Sequence, residues 1–227
     1  MISRRIAIVG VLAALTLSAC SSSSKSAPST SSSSTSTTSE TAPGGCAKAG
    51  TPPKGSPALA ITPGAAYTAT MNTTEGTMMI ALNTCTQLWG ANNFIVLARK
   101  GFYNKTTFHR AVKDFVIQGG DPQGNGTGGP GYEFVSELPP NGYKVGDLAW
   151  AKTGAAPPGS AGSQFFIITT PQAVNQTFDV KPYLYGQFGT LTSGLDVARK
   201  IEALAPPQGD GPPTRTVTIT SVTITGP

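Results

Sequence analysis

The spacing of apolar and polar residues predicts a domain that consists mainly of β-strands and extends over residues 64–227. Short apolar runs and alternating patterns predict seven strands, at Tyr67–Asn72, Gly76–Leu82, Phe115–Gln118, Asp147–Ala151, Gln164–Thr169, Tyr185–Leu191 and Thr216–Ile224. Two segments with helical spacing, Ala91–Gly101 and Leu195–Leu204, are predicted to be α-helices. Many short strands joined by glycine-rich connections favour an antiparallel sheet that closes on itself.

The first residues of the chain have the pattern of an export signal. Arg4 and Arg5 precede an apolar stretch from Ile6 to Leu17, which is too short to span a bilayer core of roughly 30 Å. The stretch ends in LSAC, which resembles the bacterial lipobox, so residues 1–19 are expected to be a lipoprotein signal peptide. Cys20 is then expected to carry lipid, palmitate included. An ordinary signal peptide with an incidental cysteine is the alternative, and the pattern leaves open whether export follows the Sec or the twin-arginine route.

Residues 20–63 are predicted to be a disordered tether behind this lipid anchor. Ser or Thr occupies 17 of the 21 positions from Ser21 to Thr41, so this stretch cannot bury enough apolar surface to offset its ordering entropy. The expected location is extracytoplasmic, at the outer face of the cell membrane. Disulfides persist in such a compartment, so Cys46 and Cys85 are expected to be bonded, with two free thiols as the alternative.

Charge and motif content exclude several classes of function. The net charge is +5 and falls by two, to +3, if Arg4 and Arg5 are removed with the signal; the other basic residues are scattered, which argues against nucleic acid as a partner. The GNGTGG run that begins at Gly124 has a dinucleotide-binding spacing, but no helical pattern follows it. His109 is the only histidine, so no zinc site is expected, and its neighbours favour a hydrogen-bonded structural role.

The segment FHRAVKDFVIQGGD contains the strongest functional signal in the chain. It sets a permanent cation, Arg110, and a neutral amide, Gln118, around an apolar run that ends at paired glycines. Period-two alternation along a strand would put Phe115 and Ile117 on one face and Val116 and Gln118 on the other. Without an obvious nucleophile or general base, this set suits binding and electrostatic chemistry better than covalent chemistry.

This segment closely resembles the signature of the cyclophilin family of peptidyl-prolyl cis-trans isomerases, or rotamases. Gly162–Ile167, Leu148–Lys152, Asn125–Gly129 and Phe188-Gly189 resemble further motifs of the same family. The resemblance implies a closed eight-stranded antiparallel β-barrel capped by two α-helices. It also implies an enzyme that accelerates X-Pro isomerisation and needs no metal or other cofactor.

The resemblance also implies a role for each site residue. Arg110, Phe115 and Gln118 would be the catalytic set, with Arg110 donating to the prolyl nitrogen of a twisted amide. Substrate would be bound by the side chains of Val116, Phe166, Tyr185 and Phe178, and by the backbone of Ala151 and Lys152.

The implied partners are proline-containing polypeptides, above all exported proteins, which a monomer would assist in folding. Valine, lysine and tyrosine stand at positions 116, 152 and 185, where methionine, asparagine and histidine are common in the family. Residues 175–184 lack the tryptophan that favours cyclosporin, so weak cyclosporin binding is expected. Two alternatives remain: a catalytically silent proline-peptide binding or chaperone module, and a solute-binding lipoprotein, for which a single small domain is unfavourable.

Overall fold

The computed structural model describes Cys46, residues 50–178 and residues 182–227. The predicted signal peptide, Cys20 and most of the predicted tether lie outside the described residues. Within the described part of the chain, no helix combines the length and the apolar character that crossing a membrane requires.

Every predicted strand and helix has an observed counterpart that overlaps it. The strands in the described residues are β1 (Tyr67–Thr73), β2 (Gly76–Leu82), β3 (Arg110–Val112), β4 (Val116–Gly119), β5 (Phe134–Val135), β6 (Asp147–Trp150), β7 (Ser160–Ala161), β8 (Phe165–Ile168), β9 (Gln187–Ser193), β10 (Asp210–Gly211) and β11 (Ile219–Thr225). The helices are α1 (Leu88–Arg99), the short α2 (Pro171–Ala173), which continues as a π-helical turn over Val174–Phe178, and α3 (Leu195–Glu202). The short strands β3, β5, β7 and β10 were not predicted.

Nine of these strands form one curled antiparallel sheet in the order β10-β3-β4-β8-β6-β9-β2-β1-β11, and β5 pairs with β7 separately. The sheet therefore differs from the expected closed barrel of eight strands. The extra edge strand arises because the glycine- and proline-rich segment after α3 pairs with β3 through Asp210 and Gly211. The residues before β3 and before β11 also meet, through an isolated bridge between Thr107 and Thr218.

Helix α1 begins three residues before the predicted start at Ala91. The backbone N–H groups of Trp89 and Gly90 donate to the Glu137 carboxylate at 2.8 and 3.1 Å, which satisfies two of the N–H groups left free at a helix N-terminus. Because Glu137 comes from a loop that lies far along the sequence, the local pattern could not reveal this cap.

The central strands of the sheet separate two hydrophobic clusters. Ile117, Leu148 and Phe165 face the main core, where the rings of Phe94, Tyr103, Trp150 and Phe188 also pack. Their neighbours Val116, Ala149 and Phe166 face the second cluster, which α2 and the π-helical turn cover. Alternation along β4, β6 and β8 thus places one set of side chains in the main core and the other set in the second cluster.

Cys46 and Cys85 are joined by a disulfide across a sequence separation of 39 residues. Cys46 is buried, at 4% exposure, so the bond holds the segment before the sheet against the loop that leads from β2 to α1.

Candidate active site

The register of four adjacent strands brings the site residues into one row. Arg110 on β3 lies opposite Gln118 on β4, Gln118 lies opposite Phe166 on β8, and Phe166 lies opposite Ala149 on β6. Directly opposite residues in an antiparallel pair have Cβ atoms about 5 Å apart. The row therefore joins segments that are distant in sequence and places a cation, an amide and an aromatic ring side by side.

Arg110 has two protein partners that hold its guanidinium. Its Nε and Nη2 atoms donate to the two carboxylate oxygens of Asp210, each at 2.7 Å, and Nη1 donates to Oε1 of Gln118 at 3.2 Å. The hydrogen bond with Asp210 is the largest influence on the pKa of Arg110, which is raised although partial burial opposes this. Arg110 is therefore a permanent cation in a defined orientation.

Gln118 connects Arg110 to the glycine-rich loop. Its Nε2 donates to Oε1 of Gln164 at 3.1 Å, and Nε2 of Gln164 donates to the carbonyl oxygens of Gly126 and Gly128, both at 2.9 Å. These bonds form a continuous path from the cation to the loop.

Asp121 holds the loop from inside. Its carboxylate accepts backbone N–H bonds from Gln123 at 2.8 Å and Asn125 at 3.0 Å, and also from Gly126. Burial would raise the pKa of Asp121, but together with a fourth N–H, that of Gly128, these donors bring its pKa below the ordinary value. The GNGTGG loop is thus an anion-centred turn that is built around one of the chain's own carboxylates.

Four aromatic rings line the apolar side of the row. Phe178 stacks on Phe115 and on Phe166, with centroids 5.1 Å apart in both cases, and Tyr185 meets Phe166 edge-on at 5.2 Å. Phe166 and Phe178 are buried, whereas Phe115 and Tyr185 are half-buried. The structure therefore brings together all the aromatic residues that the sequence assigned to the site, and Val116 lies in the same cluster.

The alternation predicted for Phe115 is wrong. Phe115 packs against the cluster of Val116 and Phe166, on the opposite face from Ile117. The reason is that β4 begins at Val116, so Phe115 belongs to the preceding turn, where Asp114 has a φ of 57°. The alternation holds for the strand residues themselves.

Ala151 and Lys152 follow β6 at the edge of the aromatic cluster. The N–H of Ala151 donates to the carbonyl of Gln164 at 2.9 Å, so this N–H is already used within the protein. The Lys152 ammonium donates to the carbonyl oxygens of Thr153 and Ala156 and lies 5.7 Å from the centroid of the Tyr185 ring. This cation–π contact packs Lys152 against the Tyr185 ring.

His109 differs from the expected hydrogen-bonded histidine. Both of its ring nitrogens are buried, and neither has a hydrogen-bond partner among the described residues. Burial is the main reason that its pKa is lowered, which keeps the ring neutral near pH 7. His109 therefore makes no hydrogen bond to Arg110, Gln118 or Phe166 and is not connected to the row.

Sequence reasoning missed the role of Tyr143. Its hydroxyl donates to the backbone carbonyl of Tyr185 at 2.6 Å and accepts from the N–H of Tyr185 at 3.0 Å. Burial raises the pKa of Tyr143 to about 12, so the hydroxyl remains neutral and keeps both bonds. These bonds also explain why β9 begins at Gln187 and not at the predicted Tyr185.

Asp210 and Gln164 were also absent from the predicted site. Gln164 could have been suspected because it directly precedes the Phe165-Phe166 pair in a motif. Asp210 gave no local signal, because it lies 100 residues from Arg110 in a segment without apolar alternation.

Comparison with known proteins gives a consistent result. Residues 68–224 match the sequence profile of the family described as cyclophilin type peptidyl-prolyl cis-trans isomerase/CLD. The chain is 43% identical to Bacillus subtilis peptidyl-prolyl cis-trans isomerase B over 114 residues, which are 48% of this chain and 71% of the relative. It is 38% identical to a Helicobacter pylori peptidyl-prolyl cis-trans isomerase over 149 residues, 63% and 81% of the two chains.

Among solved structures, the chain resembles a Cryptosporidium parvum cyclophilin type peptidyl-prolyl cis-trans isomerase. The TM-score is 0.59 at 31% identity, and the match covers 70% of this chain and 98% of the other. A second structure of that protein, in the presence of the dipeptide Ala-Pro, gives a TM-score of 0.57 at 30% identity and the same coverage.

Proposed function

This chain belongs to the cyclophilin-type peptidyl-prolyl cis-trans isomerases, and from that premise we propose that Arg110 catalyses X-Pro isomerisation by donating to the prolyl nitrogen. The planar amide resists rotation with a barrier of about 18–20 kcal/mol, because rotation breaks its resonance. In the twisted amide, the nitrogen becomes pyramidal and regains a lone pair that accepts a hydrogen bond. A donor at that nitrogen stabilises the transition state more than either planar state, which is the requirement for catalysis.

The observation that carries the proposal is the position of the Arg110 guanidinium beside the aromatic cluster. The cross-strand row sets Arg110 next to Gln118 and Phe166, so a proline ring against Phe166, Tyr185 and Val116 would present its nitrogen towards the cation. Because Arg110 stays protonated throughout the physiological pH range, donation needs no proton transfer.

The flanking peptide has its own proposed contacts. One N–H of the Gln118 amide remains after the bond to Gln164 and would donate to a client carbonyl. The Ala151 carbonyl and the Lys152 backbone would bind the strand on the other side. The C. parvum relative was studied with the dipeptide Ala-Pro, which supports a proline-containing peptide as the ligand of this chain as well.

Exported proteins are the proposed clients, acted on by a monomer at the outer face of the cell membrane. The Cys46–Cys85 disulfide supports this location, because disulfides persist outside the cytoplasm. The membrane attachment would come from the lipid on Cys20. Expression with a clickable fatty acid should label the full-length protein but not its Cys20→Ala variant; labelling of both, or of neither, would contradict the lipoprotein assignment.

The central test compares the wild type with Arg110→Ala in a prolyl isomerisation assay on a proline tetrapeptide. Loss of a donor directed at developing charge lowers kcat by about 10²–10³-fold in other enzymes, and we expect a loss of that order here. Glu133→Ala is the matched control, since Glu133 is exposed and its side chain makes no ion pair among the described residues. Equal rates for Arg110→Ala and wild type would refute the mechanism; peptide binding that persists in the slow variant would separate catalysis from binding.

A further inference from the structure

Asp210 is the only charged partner of Arg110 among the described residues, and it comes from the edge strand β10. Both carboxylate oxygens accept from Arg110, at 2.7 Å each, in the fork-to-fork geometry that fixes a guanidinium in its plane. The reaction chemistry given above assigns no role to this carboxylate.

The hydrogen-bond inventory of Arg110 shows what this pair does. A guanidinium has five N–H groups. Asp210 takes two and Gln118 takes one, so two remain, and both are on the Nη atoms. The pair with Asp210 uses the edge formed by Nε and Nη2, so the remaining N–H groups among the described contacts are one on Nη1 and one on Nη2, and these are left for the prolyl nitrogen.

The geometry points to Asp210 as a positioning residue for Arg110, an inference that rests on the proposed function. Asp210 orients the donor edge on which the transition state depends, without touching the substrate.

The backbone of Asp210 is placed independently of the ion pair. Asp210 and Gly211 pair with Val112 and Ala111 on β3, and the N–H of Lys113 donates to the Gly209 carbonyl at 2.8 Å. We therefore expect removal of the carboxylate to leave the strand pairing intact and to free only the arginine side chain.

Orientation is the main contribution expected of this pair. The side chains of Arg110 and Asp210 are 38% and 50% exposed, and exposed ion pairs add little to stability. Catalysis, however, is sensitive to the angle and position of the donor: a displacement of about 1 Å can cost about 10²-fold in rate. Loss of Asp210 should thus appear in kcat, with little change in folding or in ground-state binding.

The test is a double-mutant cycle on the full-length protein, with Asp210→Ala, Arg110→Ala and the pair of substitutions together. We expect Asp210→Ala to lower kcat by about tenfold with KM within about twofold of wild type. In the Arg110→Ala background the same substitution should have no further effect, because the group that it positions is absent. Asp210→Asn keeps one acceptor for the guanidinium and should give a kcat between those of wild type and Asp210→Ala.

Three outcomes would overturn the inference: an unchanged kcat for Asp210→Ala, a tenfold loss that recurs in the Arg110→Ala background, or a loss confined to KM. Glu133→Ala, which removes an exposed carboxylate that has no ion pair among the described residues, should match wild type in the same assay. A wild-type rate for Arg110→Ala would refute the proposed mechanism itself, whereas a slow Arg110→Ala beside a normal Asp210→Ala would refute only the positioning role. Equal urea midpoints would show that the variants are folded.

Discussion

Reduction of the Cys46–Cys85 disulfide should lower the free energy of unfolding by about 4 kcal/mol and leave catalysis unchanged. The bond closes a loop of 39 residues that includes β1 and β2. In the chain-entropy treatment, a cross-link over such a loop lowers the entropy of the unfolded chain by about 13 cal/mol/K, which gives about 4 kcal/mol at 25 °C. A change of 1 kcal/mol shifts Tm by about 2–4 °C in a domain of this size, so Tm should fall by about 10 °C.

Urea unfolding of the oxidised and the reduced wild type gives the cleanest measurement, because the two samples differ only in the bond. The Cys46→Ala/Cys85→Ala double variant, with and without reductant, is the control for effects of the reductant on the rest of the chain. Prolyl isomerisation is measured on the same samples. Neither cysteine lies on β3, β4, β8 or β6, the strands that carry the row, so kcat/KM should stay the same below the unfolding transition.

Any of three results would contradict this prediction. An unfolding free energy that differs by less than about 1 kcal/mol between oxidised and reduced protein would mean that loop closure contributes almost nothing. Alkylation of both cysteines in the folded protein without reductant would mean that the bond does not form. A loss of kcat/KM in parallel with stability would instead show that the disulfide supports the site.

Three further predictions concern the site and its surroundings. Phe178→Leu should raise KM for a proline peptide, because it removes a ring that the resemblance assigns to substrate binding and that stacks on Phe166; an unchanged or lowered KM would contradict this. Asp121 has a lowered pKa, so its carboxylate stabilises the fold above the unfolded pKa of about 3.9, and this stabilisation is lost as pH falls through the lower folded value. The difference in unfolding free energy between wild type and Asp121→Asn should therefore be constant above about pH 5 and shrink below about pH 4, whereas a difference that persists at about pH 2 would count against it. Cyclosporin should inhibit isomerisation only weakly, and nanomolar inhibition would be inconsistent with the missing tryptophan.

The sequence was sufficient to predict strands and site residues where these depend on neighbouring residues in the chain. The strands with local alternation were predicted, and Arg110, Gln118 and Phe166 were assigned to one site before their register was known. Phe165 and Phe166 lie in different clusters, as alternation along β8 requires.

The features that the sequence did not reveal depend mostly on contacts between segments that are distant in sequence. Strand β10 has only two residues and is defined by its pairing with β3, so it is too short to show a periodic sequence pattern. Asp210 enters the site with that strand. The start of α1 depends on Glu137 and the start of β9 on Tyr143, both supplied by the segment that leads to β6. Alternation failed at Phe115 because this residue belongs to the turn at Asp114, before β4 begins at Val116.

The path from Arg110 to the glycine-rich loop has a direction. A guanidinium can only donate, so Gln118 must turn its oxygen towards Arg110 and its nitrogen towards Gln164. Gln164 must then present its own nitrogen to the two loop carbonyls, and both of its N–H groups are used there. Neither amide can flip without breaking the sequence of donors. The charge of Arg110 therefore determines the orientation of the two side-chain amides between it and the loop, those of Gln118 and Gln164. Every donor on this path points from Arg110 towards the loop, so a client peptide that binds along this surface meets donors with one fixed direction.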